Sequence, residues 1–89
     1  MFRLQREDSP HGVRIAIGGA LADEAVALAE SACLEALAAD VPVTVVLDDV
    51  TEIDVRGRAL LRRLAATHAR LHAGGVYLRY VIDHARASA

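Results

Sequence analysis

The chain has 89 residues, a net charge of −2, 54% hydrophobic residues and 3% aromatics. That length bounds it to a single domain, residues 1–89, near the lower limit of what folds unaided, where about 60% of the unfolded surface is buried. The acidic balance gives no global basic field for nucleic acid. The charged start "MFRLQREDSPHG" lacks the apolar run of a signal peptide, and no stretch approaches the ~20 apolar residues of a membrane span. A cytoplasmic protein without membrane insertion is expected. Its lone Cys33 rules out an intramolecular disulfide, and within a helical apolar pattern it reads as a buried thiol.

Phe2 to Glu7 is a short candidate strand, and "SPHG" (Ser9 to Gly12) is a turn on its Pro and Gly. From Gly12 to Gly19, Val13, Ile15 and Ile17 alternate with Arg14 and Ala16, the period of a strand with one buried face. The two strands read as a hairpin. From Asp23 to Ala39 the period becomes helical, with Val26, Ala29, Cys33 and Leu37 on one side and Ala25, Ala32 and Ala36 flanking them. Asp23 and Glu24 suit the positive end of the helix dipole. "VTVVL" (Val43 to Leu47) is a compact apolar strand; without clean alternation it calls for burial on both faces, or at least a central place in a sheet.

A second helix is predicted from Asp54, a natural N-cap, to His72, with Leu60, Leu61, Leu64, His68 and Leu71 on its apolar side. Gly74 and Gly75 end it, and "VYLRYVI" (Val76 to Ile82) returns as the last strand. The order is β-β-α-β-α-β, an α/β fold with helices packed on a small mixed four-stranded sheet.

This order, with a strand running into "LDDVTEIDVRG", resembles the STAS domain, the fold of bacterial anti-sigma factor antagonists and of the cytoplasmic domain of sulfate transporters. The resemblance spans Val13 to Ile82. Asp48 matches the strand-end aspartate, Ile53-Asp54 the turn and Gly57 the glycine of the family's Asp-Ser-Ser-Gly. Gly74-Gly75 fits the glycine pair before the last strand, and "GALA" (Gly19 to Ala22) lies where the family often has Gly-Glu-Leu-Asp. Family domains usually continue past the last strand with further helices, which this chain is expected to lack. The sheet is then left with open edges, which favour pairing, and a homodimer or docking into a larger assembly is expected.

The resemblance implies a regulatory protein-binding module. In phosphorylated members the serine just before the glycine is modified by an ATP-dependent anti-sigma kinase, and the added charge releases the partner. Here that position is Arg56, preceded by Val55, and Ala22 stands where the family has an acidic residue, with Asp23 next to it. Switching by serine phosphorylation is therefore not expected. Thr51 is the nearest hydroxyl, a weak candidate for a displaced phosphosite that reads more simply as a loop residue bonding its own backbone.

The second helix carries Arg56, Arg58, Arg62, Arg63 and Arg70, and the first carries Asp23, Glu24, Glu30 and Glu35. Arg56, Arg63 and Arg70 recur every seven residues as one stripe. Two readings stand: solvated faces joined by a few inter-helix ion pairs, or a surface that steers and orients an acidic partner. The expected partner-binding surface is Thr51, Asp54, Val55, Arg56, Gly57, Arg58 and Arg63. Its partner is a kinase-type anti-sigma factor or, alternatively, another subunit of an assembly such as a lipid-transport ABC complex or a stressosome-like scaffold. His68 and His72 have helical metal-ligand spacing, but no third ligand has a clear place, and His68 reads as a partly buried core histidine. No nucleophilic triad, catalytic carboxylate pair or phosphate-binding glycine loop stands out, so no enzyme, cofactor or metal is expected.

Overall fold

Two extended segments separated by Pro10 and His11 form the expected hairpin. In the computed structural model, which describes residues 1–88, β1 (Phe2–Ser9) pairs antiparallel with β2 (Gly12–Leu21) in unbroken register from Phe2 opposite Gly19 to Ser9 opposite Gly12. Helix α1 (Glu24–Ala38) crosses over to β3 (Val43–Ile53), and α2 (Val55–Ala65) crosses over to β4 (Arg70–Ala73). Both crossovers yield parallel pairs, and helix α3 (Val76–Ser88) closes the described chain. The result is a mixed four-stranded sheet in the order β1-β2-β3-β4 with three helices packed on it.

The strand period decides which face holds the core. Val13, Ile15 and Ile17 of β2, Val43, Val45 and Leu47 of β3 and Leu71 of β4 are buried, and in register they form rows such as Ile15–Val45–Leu71. Residues between them point the other way: Arg14 and His72 are exposed, and Ala16, Thr44 and Val46 half-buried. The helices supply Val26, Ala29, Cys33 and Ala36 from α1, Leu60, Leu61 and Leu64 from α2, and Leu78, Val81, Ile82 and Ala85 from α3. The expected central place of the third strand holds, whereas burial on both its faces does not. Cys33 is buried as expected, and burial pushes its thiol up to about 11, with the charge of Glu30 adding to the shift.

The strand extends beyond the expected Val43–Leu47. Between Leu47 and Val50 the β2–β3 register slips, with Asp49 at φ 59 and Gly19 opposite the slip at φ 79. This irregularity carries the strand on to Ile53, so Thr51 lies on β3 and not in a loop.

From residue 66 onward the chain differs from the expectation. The second helix does not reach His72. Thr67 Oγ1 donates to the Leu64 carbonyl (2.6 Å) and accepts from the Ala69 N–H (3.2 Å), a side-chain turn that bonds one of the last helical carbonyls and redirects the chain. Arg70 to Ala73 is then the fourth strand, and Gly75, at φ 84, turns the chain into α3. The expected strand "VYLRYVI" is therefore the start of a helix. Leu78, Val81, Ile82 and Ala85 recur at helical spacing and fill one face; the β-branched and aromatic residues among them had favoured a strand. Helical cover thus follows the last strand, contrary to the expected lack of it. His68 and His72 share no helix, since His68 lies in the bend after α2 with Nε2 at 3.2 Å from the Val41 carbonyl, and His72 lies on β4.

Leu61 has no exposed surface, while Leu28 on the outer side of α1 is 58% exposed. Leu61→Ala is expected to lower the unfolding free energy by about 2–5 kcal/mol, and Leu28→Ala by no more than about 0.5 kcal/mol, as read from urea denaturation.

Candidate functional site

The ends of β2 and β3 and the starts of α1 and α2 meet at Asp54. As N-cap of α2, its Oδ1 accepts from the Gly57 N–H at 2.8 Å, the bond expected from its place before the helix. Its Oδ2 accepts from the Asp23 N–H at 3.0 Å, just before α1. Asp23 itself adopts φ 55, a left-handed conformation uncommon outside glycine, and its side chain caps nothing. The Asp54 N–H donates to the Leu21 carbonyl at 3.3 Å. One carboxylate and one amide thus fasten both helix starts to the end of β2. The N–H of Asp23, then that of Gly57, hold the Asp54 carboxyl below its ordinary range, and the charge of Arg56 acts in the same direction.

Gly57 is buried against β2. A Cβ there would stand 2.5 Å from the Leu21 carbonyl oxygen and 2.9 Å from Ile53 Cγ2, so only glycine lets α2 approach this closely. Gly57 therefore shapes the expected surface from beneath and offers no side chain to a partner.

The remaining expected residues separate. Val55 is 79% exposed and Arg56 is exposed, and the two form a rim beside Asp54 at the start of α2, while Thr51 is exposed on β3. Arg58 is half-buried and its Nη2 donates to the Tyr77 hydroxyl at 3.3 Å. Arg63 turns away toward α1, where its Nε and Nη2 both donate to Glu30 Oε2 at 3.0 and 2.6 Å. For Arg63 the inter-helix ion pair is thus the realised reading. The seven-residue stripe does not exist as one surface, because α2 ends at Ala65 and Arg70 lies on β4.

One part of this surface was not legible as such. Tyr77 and Tyr80 are 58% and 62% exposed on α3, and the Tyr80 ring stacks on His84 with centroids 5.9 Å apart. Arg58, Arg62, Val81, His84 and Ala85 line a shallow groove between α2 and α3. The signal was present in the spacing of Leu78, Val81 and Ile82, which puts the tyrosines on the opposite side of a helix. The assembled surface is a rim anchored through Asp54 that bears an exposed valine and an exposed arginine, with a tyrosine pair exposed on α3.

No helix among the described residues is long and apolar enough to cross a membrane, and no cluster of three or more metal-ligating side chains occurs among them. No family model matches the chain, and no curated protein matches its sequence. The chain is a small mixed α/β domain whose topology resembles STAS-like folds.

A carboxyl depressed on folding stabilises the fold fully above its unfolded value of about 3.9 and loses that contribution as pH falls through its folded value. Asp54→Ala is expected to lower the thermal midpoint at neutral pH. The gap to the unsubstituted protein should narrow as the pH falls through the folded value, in melts followed by circular dichroism.

Proposed function

We propose that the chain is a STAS-type protein-binding regulatory module, similar to anti-sigma factor antagonists, that docks its partner through the rim at the start of α2. The observation that carries this reading is the anchoring of that rim by Asp54, which holds exposed Val55 and Arg56 where switched family members carry their regulated serine. A docking surface held by backbone hydrogen bonds loses little conformational freedom on binding, so more of the contact energy appears as affinity. Arg56 cannot accept a phosphate on a hydroxyl, so the module acts constitutively toward a kinase-type anti-sigma factor. It is read as a binding module and not as an enzyme.

A second reading is favoured by Tyr77 and Tyr80. Their exposed rings lie on α3, and Tyr77 bonds Arg58, adding to the rim aromatic area of the kind enriched in protein interfaces. On that reading the chain is a structural STAS subunit of a larger assembly, such as a lipid-transport ABC complex or a stressosome-like scaffold.

Affinity capture of tagged protein from its native lysate, with partners identified by mass spectrometry, separates the two. A kinase-type anti-sigma factor supports the constitutive antagonist. A transporter ATPase or other STAS proteins support the structural subunit, and capture of neither kind counts against both. With the captured partner in hand, Arg56→Glu is expected to weaken binding by more than about tenfold while the thermal midpoint stays nearly unchanged. Equal affinity of the two forms in calorimetric titration removes this rim from the interface.

A further inference from the structure

The two edges of the sheet are finished differently. β4 is four residues long, and Arg86 reaches from α3 to donate from Nη2 to the Leu71 carbonyl at 2.8 Å. β1 is eight residues long, free of proline and of register slips, and exposed except for half-buried Phe2 and Leu4. No other element covers its outer side among the described residues.

The backbone groups on that outer side can be identified. The Ala20 N–H donates to the Met1 carbonyl, which turns Met1 toward β2. Alternation along an antiparallel strand then turns Arg3, Gln5 and Glu7 toward β2 as well, and leaves Phe2, Leu4, Arg6 and Asp8 to offer their N–H and C=O groups outward. Each of the four has a donor and an acceptor to give.

The side chains choose among the ways of using this edge. Two copies pairing β1 with β1 about a two-fold axis must place the axis at a residue. At Arg6, the arginine faces its own copy and Gln5 faces Glu7, which the charge disfavours. At Leu4, Arg3 faces only Gln5. At Gln5, Arg3 faces Glu7 of the second copy and Glu7 faces Arg3 of the second copy, while Leu4 and Arg6 exchange backbone bonds. In the single chain these two charges are only loosely held, Arg3 at 3.8 Å from Asp49 and Glu7 at 3.8 Å from Arg14, all well exposed. Such pairs contribute little and yield readily to new partners.

We propose that β1 is a self-association edge. A second copy of this chain adds its own β1 antiparallel across a two-fold axis at Gln5, selected by the reciprocal Arg3–Glu7 pairs, and the two sheets become one. The contact is isologous, and it rests on no part of the docking reading given above.

Sedimentation velocity over a range of concentrations, with cross-linking at the axis, tests it. The protein is expected to populate a dimer that dissociates on dilution. Gln5 faces itself as a non-hydrogen-bonded pair, where Cα atoms lie about 4.5 Å apart, within disulfide reach. Gln5→Cys should therefore give a reducible covalent dimer under mild oxidation, without competition from buried Cys33. Arg3→Glu or Glu7→Arg alone should weaken the dimer by about tenfold, and the two together should restore it. A protein that stays monomeric at every concentration overturns the proposal. So does a dimer in which Gln5→Cys fails to cross-link, or in which the double reversal remains as weak as either single change.

Discussion

The structure depends most on a single carboxylate that bonds two backbone amides far apart in sequence. Asp54 accepts from Gly57 within its own helix and from Asp23 at the head of another, and its own N–H returns to Leu21. Without this second acceptor, the Asp23 N–H would lose its partner at the point where the chain takes a positive φ on its way into α1. The absence of a Cβ at Gly57 lets α2 press on the end of β2, so the side-chain hydrogen bonds and the steric fit act together. The candidate docking rim follows from this: Val55 and Arg56 face outward because the residues on either side of them are committed inward.

The charges divide between holding the fold and remaining available. Arg63 and Glu30 join α2 to α1 through a short two-point contact, and Arg6 reaches Asp8 and Glu35. These are exposed pairs whose individual contribution is small, and the helices are seated on the sheet by the apolar core beneath them. Arg86 is used differently, on a strand carbonyl at the sheet edge. Its place on α3 means that the same helix buries Leu78, Val81 and Ile82 and finishes the edge of β4. Detachment of α3 would expose an apolar face and a strand edge together.

The hairpin, α1, the central strand and the N-cap of α2 were all legible in the residues. There the local signals agree: alternation in Val13–Ile17, small residues along α1, and a carboxylate before a leucine-rich helix. From residue 66 onward two signals conflict. Val76, Tyr77, Tyr80, Val81 and Ile82 have the composition of a strand, while Leu78, Val81, Ile82 and Ala85 have the spacing of a helix, and packing against α2 and β4 favoured the spacing. The end of α2 was hidden because Thr67, and not a glycine, terminates it through its hydroxyl. At the site, the bond within the helix was readable from Asp54 alone. The bond to Asp23 and the commitment of Arg63 to Glu30 were not, since each joins residues that only the folded chain brings together.

Cys33 lies on the buried side of α1 with no accessible surface, and its thiol is raised to about 11. Both properties keep the nucleophilic thiolate scarce and out of reach while the helix is seated on the sheet. As the only cysteine in the chain, it is a native clock for opening of the core. A thiol reagent in excess modifies it only when α1 lifts away, so the labelling rate measures how often that happens without any probe being introduced.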